Sequence, residues 1–583
     1  MKKLLLTVSA IALSVATYAQ VIVAGISPQS IVANYAHTWA DPGSGWGTPD
    51  FNIPGTYVQD TLMVVDDGST GLNAQGNPIS AEGCNPLFND LTGKIAVVFR
   101  NTCEFGTKAI NAQNAGAVGV IVINRNPGEV IAMGAGAEGA NVTIPVVMVD
   151  INDGLALIAE MANGPVVMFL GNKTGLFPND GGISAGAALL PRQAMIPSQL
   201  AQNGTEFNFD LGARIYNYGN QAQNNMTFTA TITNPSGATV YNNQVTGISL
   251  ASGDSTDVDP SSANNLPNFS LASYPEGTYT LTYTLGLSDG DDYDADNILT
   301  TTFTVTDSLF SYAQADATTG TPSGGNYYRP GTNNQTYSAC QVIDNANASR
   351  LKADGIWFSA TTAAASGVLL TGEEMALYMY KWEDVFTDLN DANLAFNTLT
   401  EVANGYYYFP GDLQGETVYG AFTTPVALED NQRYIACVQT VNLNLYMGHE
   451  NGTNLTWNEA YYLQPMAPNE SDGTWYAAGF GSDLPSSVAI AVSDNDVSVA
   501  ELNTVAGKAF PNPANDVVTV AIEGEGTAQL TVTDVAGKVA MSASLNLAAG
   551  QDNVNIASLT AGLYIFNVTL ENGKTAQFNV VKK

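Results

Sequence analysis

Histidine is almost missing from this chain: 583 residues contain two, His37 and His449. A Ser-His-Asp arrangement or a two-histidine zinc site needs imidazole beside its partners, so both are hard to build here. His449-Glu450 has no second histidine at helical spacing, which removes the zinc-protease signature. Charge is also short, at 13% of residues against roughly 25% in an average domain. The solvated surface must then be largely uncharged and polar, as in extracellular β proteins. Cations are scarcest of all, with 19 Lys+Arg facing 54 Asp+Glu for a formal net charge of −35. That balance repels nucleic acid and anionic membrane surfaces and favours cation uptake, so nucleic acid is excluded as a partner. Beyond the N-terminal segment no run approaches about 18 consecutive apolar residues, so no transmembrane segment is expected. No cysteine stands just after residue 19 to take a lipid.

What is present begins with a secretory layout. Lys2 and Lys3 precede an apolar stretch from Leu4 to about Ala16, then the small-residue exit Thr17-Tyr18-Ala19. Residues 1–19 read as a signal peptide cleaved between Ala19 and Gln20. The four cysteines, Cys84, Cys103, Cys340 and Cys437, are an even number in an exported chain and so are expected to pair. Three connectivities are open, and the two local pairs, Cys84 with Cys103 and Cys340 with Cys437, are favoured. The length exceeds one hydrophobic core and predicts several domains, each with its own core.

The fold class expected is multidomain and mainly β. Residues 20–188 alternate strand and helix signals: Ile95 to Phe99, a helical run Lys108 to Ala115 stopped by Gly116, Gly119 to Asn124, and Ile144 to Val149. A second helix is predicted with Asn152 or Asp153 as N-cap and with Leu155, Ile158 and Met161 on one face. Residues 189–305 change to period two, as in Met226-Thr227-Phe228-Thr229-Ala230-Thr231-Ile232, and predict an Ig-like sandwich. Residues 306–495 are strand-like and rich in aromatics such as Trp357, Tyr378, Tyr380, Trp382, Tyr406, Tyr408 and Trp475, and predict a larger sandwich of jelly-roll type. Residues 496–583, after an acidic link near Asp494 to Asp496, predict a small sandwich.

Few motifs carry chemistry. Gly182-Ile183-Ser184-Ala185-Gly186 has the nucleophile-elbow spacing, but the Pro-Asn-Asp-Gly-Gly run before it reads as a linker. Gly134-Ala135-Gly136-Ala137-Glu138-Gly139 has the dinucleotide spacing, yet a strand follows where phosphate binding needs a helix N-terminus, so it reads as a surface loop. Asp289, Asp291, Asp292, Asp294 and Asp296 could wrap oxygen ligands around calcium or form a solvated hairpin tip. Apart from that possible Ca²⁺, no cofactor is expected. The carboxylates Glu373, Glu374, Glu383 and Asp384 are the candidates for a hydrolase, although no spacing singles them out. The aromatics of residues 306–495 fit either a sandwich core or platforms on which sugar rings stack, the latter requiring coplanar exposed rings on one sheet face.

Two stretches resemble known families. Cys84-Asn85-Pro86-Leu87, Leu91 to Arg100, Cys103-Glu104-Phe105, Lys108, Ala115-Gly116-Ala117, Gly119 to Asn124 and Ile144 to Met148 resemble the protease-associated domain family over roughly residues 25–172. The resemblance implies a module that guides substrates or binds proteins beside a partner domain and has no catalysis of its own. A bridge between the two cysteines bracketing the Ile95 strand would add roughly 3 kcal/mol in the chain-entropy view. Phe510-Pro511-Asn512-Pro513, the turn at Gly537, the segment Gly562-Leu563-Tyr564 and the terminal Lys582-Lys583 resemble the C-terminal sorting domain of type IX secretion cargo, over about residues 503–583. That resemblance implies a source among the Bacteroidota, export by the type IX machinery, and release or surface attachment. The functional expectation is an exported binding or adhesion protein with protein or peptide ligands; a secreted hydrolase and a glycan-binding surface protein are the alternatives.

Overall fold

The computed structural model describes residues 21–125, 130–330, 336–362, 367–450, 452–495, 505–523, 526–535 and 537–583. The expected signal peptide with its Ala19-Gln20 cleavage point, and the link residue Asp496, lie outside the described residues. The chain divides into two compact units, Met1–Asp494 and Asn495–Lys583.

The first unit opens with a seven-stranded sheet whose centre, Tyr57–Val64, Ile95–Phe99, Gly119–Ile123 and Val146–Val149, is parallel. The last three of these strands are continuous apolar runs, buried along their length, because both faces are covered. Ala96, Val98, Val120 and Val122 pack against Ala109 and Ala112 of α1 (Phe105–Asn114), while Ile95, Val97, Ile121 and Ile123 pack against Ile151 and Leu157 of α2 (Ile151–Met161). Antiparallel strands Val21–Ser27, Val167–Asn172 and His37–Trp39 complete the sheet. Helix α2 differs from expectation at its start. Asp150 is the N-cap, its side chain accepting the Asn152 N–H at 2.8 Å. Of the expected face, Ile158 and Met161 pack against the core beside the buried Ile151, Gly154 and Leu157, while Leu155 is exposed.

Two sandwiches follow. In the first, Ser255–Val258, Gly212–Asn217 and Gly181–Leu189 form one sheet, facing the five strands Thr239–Leu250, Gln223–Thr233, Gly277–Gly286, Ile298–Thr306 and Met195–Pro197. Its strands show the predicted alternation: Met226, Phe228, Ala230 and Ile232 are fully buried, while the threonines between them face out. The change from α/β sheet to sandwich occurs between Asn172 and Gly181, ahead of the boundary expected at 188/189, which falls inside a strand. In the second sandwich six strands around Leu351–Thr362 face six in the order Leu399–Tyr408, Glu374–Trp382, Arg433–Thr440, Tyr337–Ile343, Asn469–Ser471 and Thr474–Tyr476. The two sandwiches do not keep separate cores as expected: one continuous buried cluster runs from Ile183 through Phe303 and Phe310 to Val492.

The second unit is a small sandwich of three and four strands around Val518, Val520, Leu530, Val532, Phe566 and Val568. The Phe510-Pro511 and Asn512-Pro513 bonds are cis, and the Asn512 side chain ties this segment to the last strand by donating to Asn579 O at 2.8 Å and accepting from Val581 N at 2.9 Å. Gly537 has φ +78 at its turn, Gly562 opens the strand Gly562–Leu570, and the Tyr564 hydroxyl donates to Thr560 O at 3.0 Å. Lys582 pairs with Asp516 at 3.4 Å and Lys583 N donates to Ala514 O at 2.9 Å. No helix among the described residues is long and apolar enough to cross a membrane.

Candidate functional site

Among the described residues the catalytic candidates do not converge. His37 Nδ1 lies 2.9 Å from Tyr35 O, and burial lowers its pKa. His449 is sealed in the second sandwich, 3.1 Å from Met447 O and 3.4 Å from the Tyr337 hydroxyl, and burial pushes it down to about 4. Ser184 sits in the strand Gly181–Leu189 rather than in a linker. The glycines before it are there for close packing: a Cβ on Gly182 would stand 2.5 Å from Asp296 Oδ2 and 2.6 Å from the Tyr218 ring. The Gly134–Gly139 loop packs on the start of α1, where Ala137 N donates to Glu104 at 2.9 Å. The four hydrolase carboxylates are tied separately: Glu373 accepts from Asn442, Glu374 from Tyr408, Glu383 from Thr400, and Asp384 from Trp382 and Asn397.

The aspartate-rich segment joins the α/β domain to the first sandwich. Asp289 and Asp294 are exposed, but Asp291 accepts from Gly181 N at 2.9 Å and from Asn297 Nδ2 at 2.9 Å, and Asp292 accepts from Asn179 N at 2.8 Å. Asp296 and Asp180 both pair with Lys173, which has no exposed surface; the Asp296 contact is 3.0 Å. The rings of Tyr293 and Tyr218 lie 4.4 and 4.9 Å from the same ammonium. Burial pushes Asp180 up to about 7 and Asp296 up to about 6, with Lys173 opposing both shifts. No group of three or more His, Cys, Asp or Glu among the described residues is placed to hold a metal.

A second buried charge lies in the α/β domain. Lys108 on α1 is fully buried and donates to Glu82 O at 2.8 Å; burial pushes it down to about 8 against the pull of Glu82 and Asp67. The Glu82 carboxylate, also buried, accepts from Asn101 Nδ2 at 2.9 Å and from Thr102 N at 3.2 Å. The Cys84–Cys103 bridge closes the loop above this pair. The same loops carry Phe88 and Leu72, which are 80% and 67% exposed.

The most site-like geometry is on the outer face of the second sandwich. One row of residues in register crosses all six strands: Tyr406, Ala376, Gln439, Ser338, Glu470 and Trp475. Gln439 Nε2 donates to Ser338 Oγ at 3.0 Å, and Ser338 Oγ donates to Glu470 Oε2 at 2.9 Å. The Gly473 N–H also donates to Glu470, from a tight hairpin turn in which Asp472 and Gly473 both have positive φ, 47° and 79°. That turn brings the strand Thr474–Tyr476 back alongside Asn469–Ser471 and sets Trp475 opposite Glu470. The second bridge, Cys340–Cys437, lies in the next row, and Phe396 covers part of the face, stacked between Trp382 at 4.6 Å and Trp475 at 4.7 Å. Tyr380 meets the Trp475 ring edge-on at 6.4 Å. A cleft of about 380 Å³ remains between these walls, floored by Gln439, Ser338 and Glu470. The aromatics therefore divide. Tyr337 lies in the core between the sheets, and Trp382 is buried in a smaller outer-face cluster with Cys340, Cys437 and Phe386. Tyr378, Tyr380 and Trp475 pack half-buried against that cluster, and Tyr406 and Tyr408 are more than half exposed. Composition had pointed to the region but not to the row. The Asp472-Gly473 dipeptide is the sequence signal that marks its hairpin.

Comparison with known proteins places two families on the chain. Residues 56–157 match the PA domain, and residues 508–582 match the secretion system C-terminal sorting domain. The chain is 39% identical over 75 residues to the minor extracellular protease Vpr of Bacillus subtilis, a stretch covering 13% of this chain and 9% of that protein. It is 38% identical over 96 residues to the ER degradation-enhancing alpha-mannosidase-like protein 3 of Xenopus laevis, covering 15% and 10%. The similarity thus spans a small part of these relatives' length. Among solved structures, an aminopeptidase from Aneurinibacillus sp. strain AM-1 is 20% identical over 26% of this chain and 30% of that one, with a TM-score of 0.19. A PA domain and a sorting domain in one chain mark a protein exported to the cell surface or the medium.

Proposed function

We propose that this PA-domain protein with a secretion sorting tail works outside the cell by binding rather than by catalysis, its PA domain taking protein or peptide ligands. The observation that carries the reading is the pairing of the two families in one chain. Supporting it, the buried polar groups of the α/β domain are turned inward, Lys108 of α1 onto the Glu82 carbonyl and the Glu82 carboxylate onto Asn101 and Thr102, while large apolar side chains of nearby loops, Phe88 and Leu72, face solvent. An exposed aromatic on a disulfide-closed loop, Phe88, with an exposed Leu72 in the preceding chain, supplies the apolar surface that a protein-binding patch requires.

Selection of a displayed peptide library on the purified mature protein should return binders, and Phe88→Ser should weaken them without lowering the unfolding temperature. A panel of peptidase and glycosidase substrates run on the same preparation should give no turnover. Turnover that persists through repurification would refute the binding reading.

A further inference from the structure

Beside the small apolar cluster around Trp382, the outer face of the second sandwich carries a row whose buried polar middle neither that cluster nor a plain solvated surface needs. Its register row is aromatic at both ends, Tyr406 and Trp475, with the small Ala376 and the polar Gln439, Ser338 and Glu470 between them. Glu470 is 7% exposed and Ser338 is 2% exposed, yet both line an open cleft. The Trp475 indole N–H and the Tyr380 hydroxyl make no hydrogen bond among the described residues, and Phe396 occupies only one face of the Trp475 ring.

We propose that this cleft binds a neutral pyranose of a glycan, an inference that rests on the protein being an exported binder and names a second site and ligand class for it. A sugar ring has an apolar C–H face that suits the indole and phenol faces, and a rim of vicinal hydroxyls that needs donors and acceptors together. The cleft supplies both: acceptor oxygens on Glu470 and Ser338, donor and acceptor atoms on the Gln439 amide, and the spare N–H of Trp475 and O–H of Tyr380. A purely apolar ligand would seal Glu470 and Ser338 away from water without new partners, which is unfavourable. Charge selects within the sugars. Among the described residues no Lys or Arg lines the cleft, Glu470 stands in its floor, and the chain carries −35, so uronic and sialic acids are repelled. The volume of about 380 Å³ lies in the range of roughly 300–1,000 Å³ typical of small-ligand sites. Tyr406 stands five inter-strand spacings from Trp475, roughly 24 Å, so an oligosaccharide rather than a single sugar spans the row.

A glycan array carrying neutral and acidic oligosaccharides, probed with the intact mature protein and followed by titration calorimetry with the best neutral chain, tests this. Saturable binding is expected to fall about tenfold in both Trp475→Ala and Gln439→Ala, and less in Trp475→Phe, which keeps the stack on Phe396. Glu470→Gln is expected to admit uronate-containing chains. Gln439→Ala, at a half-exposed position, keeps the test open if Trp475→Ala unfolds. The proposal is overturned by absence of saturable binding to every neutral oligosaccharide at millimolar concentration, by binding that survives both alanine variants, or by preference for polyanionic glycans. Peptide capture through Phe88, measured on the same preparation, reports separately on the PA-domain reading, so the two can fail independently.

Discussion

Lys173 is one cation shared by two buried carboxylates, and that imbalance sets the pH response of the junction it holds. Asp180 at about 7 and Asp296 at about 6 both titrate above free carboxylates, so the folded chain holds protons that the unfolded chain has released. Their contribution to stability is therefore complete below about pH 4 and is lost as pH rises through 6 to 7. Around them stand Lys173, Asp291, Tyr218 and Tyr293. His449 acts with the opposite sign: held at about 4 by burial, it destabilises the fold as pH falls from the free imidazole value. A single melting curve mixes the two. The difference between variant and parent separates them, and Asp180→Asn should gain unfolding temperature relative to the parent as pH is raised from 5 to 8. A constant offset across that range would show that the carboxylate does not titrate as its burial requires.

At the level of elements, the two bridges lie in different kinds of place. Cys84–Cys103 closes a loop of 19 residues over Lys108, and Cys340–Cys437 joins two adjacent strands across 97 residues of chain. In the chain-entropy model the short loop contributes about 3 kcal/mol and the long one nearly 5 kcal/mol. Replacing Cys340 and Cys437 by alanine should therefore lower the guanidinium midpoint more than replacing Cys84 and Cys103, and the reverse order would assign the stabilisation to local packing. Both pairings were legible from their positions in the chain. The cap of α2 was less so. Asn152, Asp153 and Asp150 are all good capping residues, and the choice is made by Gly154, whose lack of a side chain lets the helix approach Ile123 of the sheet.

The whole molecule is two compact units of unequal size, each with its own buried core. The sorting domain needs no residue of the larger unit for its core, so it should unfold as a separate transition in calorimetry. Deleting residues 503–583 should remove that transition, leave the melting of the larger unit unchanged, and hold the protein in the periplasm. Surface display of the truncated chain would contradict the assignment of the tail as the export signal. Within the larger unit no such separability is expected of the two sandwiches, because Phe303 and Phe310 belong to one continuous core. Length alone had led to the expectation of a core per domain.

Alternation at Met226 to Ile232 and the apolar runs at Ile95 and Gly119 were sufficient to place the mainly β architecture, because period and turn chemistry are local properties of the chain. The PA domain and the sorting domain, by contrast, were legible through the resemblance of the Cys84 to Met148 and Phe510 to Lys583 stretches to known families. The sheet to which Gly181–Leu189 belongs, the burial of Asp180 and Asp296 around Lys173, and the row from Tyr406 to Trp475 were decided by tertiary structure. Each depends on which distant strands pair and in what register. A one-residue slip would turn Gln439, Ser338 and Glu470 to the opposite face without changing a single local preference.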